Sequence, residues 1–343
     1  MNSSLTFKNL VTNQLIIASK CRPKAPDVSV IMPTYRLRQN NFTLRAIESV
    51  LNQSFQNFEF ILVDDGSVDG LYDVLKKYQK DDSRIILIRN SINSGLPAAR
   101  QNQGFRIANG KYITNMFEDD EWYKYALGSL FGTISEETEP CLVYGIADVE
   151  ILTPNGVERW RLGDWDFNYS HLRNSNKIAA CSVMHPRSFF DVCGFHDPHI
   201  MIRRLSDYDM WLRFGKHFPF KPCKQVIAKV NGGSKHSLGA TIEMDYGLTL
   251  RYMELNRDEL LKPNVIDNYQ LDTIYFAQNL TDKVNIYERH VKSFFVQHPK
   301  VLSKKKQKNC LITSEQPIRL VVTKNDYSTT LDQKIRNFCD WIG

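Results

Sequence analysis

The sequence predicts an α/β fold in which helices cover both faces of a mainly parallel central sheet. Strand-like and helix-like segments alternate four times between residues 28 and 122, and this alternation is typical of parallel strands joined by crossover helices. Three of the strand-like segments are followed by polar clusters, at 33–36, 64–67 and 118–121. Because ligands bind outside the carboxyl ends of the strands in such sheets, the clusters predict one binding site at one edge.

Each element of this first half has a local signal. Short apolar runs predict the strands, and apolar residues at helical spacing, such as Leu44, Ile47 and Leu51, predict the helices. Pro33 is expected to end the first strand, since proline cannot donate to a sheet ladder, and Pro97 suits the first turn of a helix. The predicted elements are strand 28–32, helix 43–53, strand 58–63, helix 71–79, strand 85–88, helix 96–108 and strand 112–117.

The rest of the chain is less regular. Strands are predicted at 141–144 and 180–184, and a helix at 206–217 with Met210, Trp211 and Phe214 facing inward. Beyond about residue 250 the pattern becomes mostly helical and includes a basic run, for which a solvated surface is the preferred interpretation and contact with an anionic membrane the alternative. The predicted features are helices 247–260 and 267–297, the lysine run 304–308 and strand 318–322.

The composition is that of an ordinary soluble globular protein. Of 343 residues, 42% are hydrophobic and 24% charged, and the net charge of +6 suits an anionic ligand without indicating nucleic acid. No apolar run approaches the ~18 residues that a membrane span requires, and the N-terminus lacks a signal-peptide core. Seven cysteines without a C-x-x-C pair indicate reduced thiols. We therefore expect a cytoplasmic protein, with peripheral membrane contact left open.

The acidic run 118–121 predicts a seat for a metal bound to a diphosphate. Neighbouring carboxylates repel one another unless a cation or hydrogen bonds hold them, and Mg²⁺ binds through one or two carboxylates plus substrate phosphates. The chain has no glycine-rich dinucleotide or P-loop motif, so side chains and a metal are expected to hold the phosphates. The alternative is a solvated acidic turn, which the two other polar clusters make less attractive.

Several motifs, in this order, resemble the inverting members of glycosyltransferase family 2, which have the GT-A nucleotide-diphospho-sugar fold. They lie between residues 27 and 232, and each is weak alone but specific in combination. The matching stretches are 28–35, 49–55, 61–67, 93–95, 98–100, 110–120, 181–185 and 206–213.

The resemblance implies a nucleotide-binding set. Tyr35 would pack on the nucleoside, Asp65 would accept a hydrogen bond from the base ring N–H, and Arg100 would reach the nucleotide and its diphosphate. Asp64 has capping of its turn as an alternative role. The full implied set is Pro33, Thr34, Tyr35, Asp65, Arg100 and, near the ribose, Asp119.

The resemblance also implies one metal ligand and one catalytic base. Asp120 would ligate Mn²⁺ or Mg²⁺, and the metal would neutralise charge on the departing diphosphate. Asp207 would take a proton from the acceptor hydroxyl as that oxygen attacks the anomeric carbon from the face opposite the diphosphate; such a displacement inverts the configuration and needs one base. Two alternatives stay open: Asp207 as a helix N-cap, and Asp209 as the base.

Some positions depart from the family pattern. Phe117 stands where the metal motif often has an aspartate, Ser206 stands where a carboxylate often precedes the base, and 99–104 is one residue longer than the usual A-R-N-x-G, which leaves the role of Asn102 open. For His185 and His236 a structural role is preferred over a sugar or metal contact.

These observations predict a metal-dependent inverting glycosyltransferase that uses a nucleotide-diphospho-sugar, with a UDP-sugar favoured, and a glycan or lipid-linked acceptor in surface polysaccharide or glycoconjugate synthesis. The predicted units are an extension 1–26, a GT-A domain 27–240 with a nucleotide-binding half 27–123 and an acceptor half 124–240, and a helical extension 241–343. The last part could form a homodimer, dock the acceptor or brace the fold. There are two alternatives. A sugar nucleotidyltransferase is disfavoured because the chain lacks the glycine-rich loop that such enzymes normally have after the first strand. A non-catalytic partner subunit stays open because Phe117 departs from the metal motif.

Overall fold

A computed structural model describes residues 15–37, 41–91, 93, 97–153, 156–173, 175–196 and 206–231. Ten strands and seven helices are named here in chain order. The strands are β1 (Leu15–Ala18), β2 (Val28–Thr34), β3 (Phe58–Asp64), β4 (Ile85–Arg89), β5 (Tyr112–Asn115), β6 (Glu121–Trp122), β7 (Leu142–Thr153), β8 (Gly156–Leu162), β9 (Val183–Pro186) and β10 (Phe220–Asn231). The helices are α1 (Phe42–Leu51), α2 (Leu71–Asp81), α3 (Pro97–Ile107), α4 (Ala126–Glu136), α5 (Tyr169–Leu172), α6 (Phe189–Cys193) and α7 (Ser206–His217).

The strands form one sheet in the order β1-β4-β3-β2-β5-β9-β7-β10-β6, with β8 paired to β7. The strands β4, β3, β2 and β5 are parallel, which confirms the prediction for the first half. The second half is mixed: β9 runs antiparallel to β5 and β7, whereas β7 and β10 are parallel. None of the helices in the described part of the chain is long and apolar enough to cross a membrane.

Strand β2 continues through Pro33 to Thr34, so the prediction that Pro33 ends the strand is wrong. Backbone groups along a parallel strand point alternately to its two neighbours. The C=O of Ile31 accepts the N–H of Met116, so Ile31 and Pro33 both face β5. The paired part of β5 ends at Asn115, opposite Ile31. The missing N–H of Pro33 therefore costs no ladder hydrogen bond.

Other elements differ from the sequence prediction. The strand predicted at 141–144 extends to residue 153, and the stretch 180–184 begins with a 3-10 turn, Ala180–Ser182, before β9. Strands β1, β6, β8 and β10 were not predicted. Residues 156–161 of β8 are exposed, and the few apolar residues of that strand form no continuous run. Strand β1 lies in the predicted extension and pairs with β4. Predictions for residues 232–343, His236 among them, lie outside the described residues.

Helix α3 is enclosed on both sides. Every residue from Ala98 to Phe105 is buried, including four polar ones. On the sheet side, a Cβ at Gly104 would stand 2.6 Å from Cγ2 of Ile31, so glycine is what allows α3 to approach β2. On the other side, the ring of Phe105 packs 5.5 Å from that of His196. Buried polar groups need hydrogen-bond partners. Some of the partners of the polar side chains of α3 lie in the candidate site.

Candidate active site

The loops that follow β2, β3 and β5 are tied together by hydrogen bonds. The N–H of Tyr35 donates to Oε2 of Glu118 over 2.9 Å, and the N–H of Arg36 donates to Oγ of Ser67 over 3.0 Å. Arg36 has a φ of 68°, which turns the chain sharply at the end of β2. The prediction that the three polar clusters meet at one edge of the sheet is confirmed. Glu118 was not singled out, although its place in the acidic run was the available signal.

Asp64 shapes the loop after β3. Its Oδ1 accepts the N–H of Ser67 at 3.1 Å, and its Oδ2 pairs with the guanidinium of Arg89, which lies 4.4 Å from the ring centroid of Tyr72. Asp64 is fully buried. The alternative role of Asp64 as the residue that caps this turn is therefore confirmed.

Asp65 and Arg100 form a buried ion pair. Arg100 Nε lies 2.5 Å from Oδ1 of Asp65, and its Nη1 donates to Oδ1 of Asn90 over 2.8 Å. The second oxygen of Asp65 accepts the amide of Asn93 at 3.1 Å. Two residues of the predicted nucleotide set thus lie in contact, and Arg100 fixes the direction of the Asp65 carboxylate.

The remaining nucleotide residues of β2 differ in exposure. Pro33 and Thr34 are buried in the sheet, and the hydroxyl of Thr34 lies 3.5 Å from the C=O of Val63. Tyr35 is partly exposed, with the guanidinium carbon of Arg36 4.9 Å from its ring centroid. Of these three residues only Tyr35 offers a ring to a ligand, so Pro33 and Thr34 would shape the pocket from beneath.

Asp119 and Asp120 lie at the carboxyl end of the same sheet. Asp119 is partly exposed and Asp120 is buried. Burial raises the pKa of Asp120 well above its ordinary value, and the charge of Asp119 raises it further. The thiol of Cys181 and the backbone N–H of Asn231 bind the carboxylate of Asp120 and act in the opposite direction. The side chain of Asn231 also donates to the C=O of Asp119 over 2.5 Å.

This pair fits a divalent cation. Two adjacent carboxylates, one of them buried, are costly to ionise together, and a cation removes that cost. Within the described residues no group of three His, Cys, Asp or Glu side chains could hold a metal. The side chain of Phe117, at the position that departs from the family pattern, packs against the hydrophobic core instead. The remaining ligands would therefore come from a diphosphate and water, as is usual for Mg²⁺.

Asp207 lies within the first turn of α7 rather than before the helix. Burial raises its pKa to about 6, and the nearby charge of Asp209 adds to this rise. The backbone N–H groups of Tyr208 and of Asp207 itself act in the opposite direction, as does the amide of Asn176, 3.3 Å from Oδ2 of Asp207. A carboxylate with a pKa near the working pH is suited to accept and release a proton.

The rival base Asp209 is held in an ion pair. Its Oδ2 lies 2.9 Å from Nε of Arg213, one turn further along α7, and both side chains are 2% exposed. A carboxylate that is almost fully buried and already paired with a guanidinium is poorly placed to meet an acceptor hydroxyl. Asp207 is therefore the stronger candidate for a base.

One short segment contacts both candidate acids. Asn176 binds Asp207, and Cys181, five residues later, binds Asp120. Five residues span at most about 18 Å even when fully extended, and this segment includes part of a 3-10 turn. The two ends of one short segment therefore hold Asp120 and Asp207 in the same region of the molecule. Asn176, Cys181 and Asn231 were missed as site residues, because their partners are distant in the sequence.

His185 has a structural role, as preferred from the sequence. It is fully buried, its Nδ1–H donates to the C=O of Pro186 over 2.9 Å, and its ring packs on Phe189, Phe190 and Phe214. Burial lowers its pKa to about 4. His185 is therefore a neutral core residue.

Comparisons with known proteins agree with this architecture. The family model for Glycosyl transferase family 2 matches residues 29–192. The chain is 44% identical over 266 residues to WcaA of Escherichia coli K12, named as a colanic acid biosynthesis glycosyl transferase, with 74% of this chain and 89% of that protein covered. It is 38% identical over 185 residues to WfaP of Escherichia coli, named a UDP-Glc:alpha-D-GlcNAc-diphosphoundecaprenol beta-1,3-glucosyltransferase, with 54% and 68% covered.

A solved structure supports the fold. The crystal structure of Staphylococcus aureus TarS 1–349 in complex with UDP-GlcNAc superposes with a TM-score of 0.54 at 16% identity, covering 67% of each chain. The sheet, its strand-end site and this likeness define a GT-A fold. The chain belongs to glycosyl transferase family 2 and is a glycosyltransferase.

Proposed function

We propose that this glycosyltransferase is metal-dependent and inverting, takes its sugar from a UDP-sugar, and transfers it to a glycan or lipid-linked acceptor during synthesis of a surface polysaccharide. The names of two relatives support the biological part: WcaA is named for colanic acid biosynthesis, and WfaP for a UDP-Glc donor and a diphosphoundecaprenol-linked acceptor. TarS, which has the same fold, was solved with UDP-GlcNAc.

The observation that carries the proposal is the placement of Asp120 and Asp207 on the two ends of the segment 176–181. A pair of acids with Asp119 at one end suits a cation and a diphosphate. A single acid at the other end, with a pKa of about 6, suits a proton acceptor. A displacement with one base requires these two functions on opposite sides of the anomeric carbon.

At the donor end, the residues of the chain bind and orient. Tyr35 contributes a partly exposed ring for the nucleoside, and Arg100 keeps Asp65 directed for a base N–H. Asp120, with Asp119 beside it, would hold Mn²⁺ or Mg²⁺. When bound, the metal neutralises charge that develops on the leaving diphosphate.

At the acceptor end, Asp207 accepts the proton of the acceptor hydroxyl. The deprotonating oxygen attacks the anomeric carbon while the bond to the diphosphate breaks on the opposite face. One displacement exchanges the two groups and inverts the anomeric configuration. Asn176 and the N–H groups of the first turn of α7 hold the carboxylate in place.

The test combines nucleotide binding with product analysis. Thermal unfolding is followed with UDP, GDP, dTDP and CMP, each with Mn²⁺ or with EDTA, because a ligand of the folded state raises the melting temperature. We expect UDP to stabilise only with Mn²⁺, and a UDP-sugar to give a product of opposite anomeric configuration by NMR. A product that retains the donor configuration, or equal stabilisation in EDTA, would contradict the proposal.

A further inference from the structure

A buried amide connects helix α3 to the segment that follows α6. Asn102 is buried, and its side chain bonds both backbone groups of His196, 94 residues away. Its Nδ2 donates to the C=O of His196 over 3.1 Å, and its Oδ1 accepts the N–H of His196 at 3.0 Å. This two-bond contact fixes the position and the direction of the His196 backbone.

The ring of His196 carries the connection on to helix α7. Its Nδ1 lies 3.1 Å from the C=O of Ser206, the residue before Asp207. A carbonyl oxygen can only accept, so Nδ1 carries the hydrogen. Burial, aided by the positive charge of Arg213, lowers the pKa of His196 to about 3. The ring therefore stays neutral and keeps one tautomer across the working pH range.

A second anchor acts elsewhere on the same helix. Arg213 donates from Nη2 to the C=O of Phe195 over 2.8 Å and from Nη1 to that of Gly194 over 3.3 Å. Arg213 lies almost two turns beyond Asp207, so these bonds fix the body of α7. Arg213 also reaches the first turn through its ion pair with Asp209. The side chain of His196 bonds directly to Ser206, the first residue of that turn and the neighbour of Asp207.

We propose that Asn102 and His196 are positioning residues that set the first turn of α7, and with it Asp207, relative to helix α3. Helix α3 also carries Arg100, which orients Asp65 on the donor side. One helix would thus position both the nucleotide-binding carboxylate and the acceptor base. This inference rests on the proposed role of Asp207. A misplacement of about 1 Å in a reacting group can cost on the order of 10²-fold in rate.

The decisive comparison is His196→Leu against His196→Asn. Leucine removes the donor, whereas the Nδ2 of asparagine takes nearly the place of the histidine Nδ1 and can still donate to Ser206. With a UDP-sugar and Mn²⁺, we expect His196→Leu to lower kcat on the order of 10-fold to 10²-fold with an unchanged UDP Kd. His196→Asn is expected to recover most of the loss.

A double-mutant cycle tests whether the two residues act through one connection. We expect Asn102→Ala to lower kcat as His196→Leu does, and the double variant to be no worse than the worse single one. If His196→Leu does not fold, Asn102→Ser is the substitute, because it removes the contact with the His196 backbone with little change of apolar volume. The same loss of kcat is expected for it. Additive losses in the cycle would contradict a shared path.

Phe189→Leu is the matched control for lost packing. The ring of Phe189 stacks 3.7 Å from that of Phe218 and takes no part in the Asn102–His196–Ser206 connection. We expect a lowered melting temperature and a kcat near that of the wild type. The inference is overturned if kcat falls equally in Phe189→Leu, or if His196→Leu leaves kcat unchanged. If His196→Leu keeps its kcat while Asp207→Asn is inactive, only this inference fails and the proposed function stands. If Asp207→Asn is active, both the proposed function and this inference lose their basis.

Discussion

Asp120 and Asp207 both have raised pKa values, yet their surroundings differ: the side chain of Asp120 is buried, whereas that of Asp207 is partly exposed. Asp120 has a second carboxylate, Asp119, beside it, and a thiol and a backbone N–H bind it. Asp207 owes its raised pKa mainly to burial. Asp209 also raises the pKa of Asp207, but its charge is itself paired with a guanidinium.

The difference shows how two nearby carboxylates can be suited to two kinds of chemistry. Two adjacent negative charges are relieved best by a divalent cation, which both can share. A single carboxylate with a pKa near 6 needs no counter-ion and can exchange a proton close to neutral pH. Variants at the two positions should therefore fail in different ways.

The largest expected effect is on transfer in Asp207→Asn. Asparagine keeps the size of the side chain but cannot accept a proton, so kcat should fall by about 10²-fold to 10⁴-fold, the usual contribution of a general base. Steady-state transfer from a UDP-sugar measures kcat, and calorimetry with UDP and Mn²⁺ should give an unchanged Kd. Asp209→Asn is the control: it should lower the melting temperature by breaking the Arg213 pair, yet remain active when folded. Activity lost in Asp209→Asn alone would exchange the roles of the two residues.

The second effect is on donor binding in Asp120→Asn. At UDP concentrations 100 times Kd, the wild type should gain about 2.7 kcal/mol of stability with Mn²⁺. Asp120→Asn should lose most of this gain, because an amide is a poorer ligand than a carboxylate for a hard cation. Thermal unfolding in Mn²⁺ and in EDTA measures it, with Asp207→Asn as the variant that keeps the gain. Equal stabilisation of Asp120→Asn and the wild type would remove Asp120 from the metal site.

How far the sequence predicts these two sites depends on the length of chain between the partners. Asp120 and Asp207 stand in local motifs, so their residue types and spacing identify them. Cys181 and Asn231, which bind Asp120, lie 61 and 111 residues further on. Cys181 begins the matching stretch 181–185, but that stretch does not indicate a contact with Asp120, and Asn231 stands in no motif. They meet Asp120 only because β6 pairs with β10 and the 3-10 turn packs beneath, which is a property of tertiary packing.

The fold shows the same limit. The parallel half is predictable because its strands are almost wholly buried, so each appears in the sequence as a short apolar run. Strand β8 is exposed along most of its length, and β10 is irregular, with shifts in its pairing to β7. Neither gives a repeating apolar pattern. The prediction that Pro33 ends β2 is wrong for another reason. Whether the missing N–H of Pro33 matters depends on where the neighbouring strand ends.

The third prediction concerns pH. Asp207 must be unprotonated to act, so kcat/KM should fall as pH decreases through its pKa of about 6. Between pH 7 and pH 5 the loss should be about tenfold, since kcat/KM follows the free enzyme. Asn176→Ala removes an amide that lowers this pKa and should move the acid limb to higher pH. A profile that is flat down to pH 5, or an unmoved limb in Asn176→Ala, would argue against Asp207 as the titrating base.

The smallest effect is on stability and has the opposite sign to the effect on activity. The pKa of Asp207 is raised from 3.8 in the unfolded chain to about 6 in the folded protein, so its ionisation above pH 6 disfavours folding, while below pH 4 there is no such cost. Asp207→Asn is neutral at every pH. It should therefore be more stable than the wild type at pH 8. A rise of about two pKa units corresponds to roughly 3 kcal/mol, which solvent screening of the partly exposed side chain reduces to the order of 1 kcal/mol. The melting temperature should rise by about one to two degrees.

That gain should shrink as pH falls through 6 and vanish near pH 4, and melting curves at both ends measure it. Asp120→Asn should also stabilise the metal-free protein, because it removes one of two repelling carboxylates. With Mn²⁺ and UDP, Asp120→Asn should become less stable than the wild type, because it loses binding of a ligand that stabilises the folded state. Asp207→Asn should remain more stable than the wild type, because it keeps that binding. The same response to Mn²⁺ and UDP in both variants would mean that the two carboxylates share one site, and the distinction between a cation seat and a proton acceptor would fail.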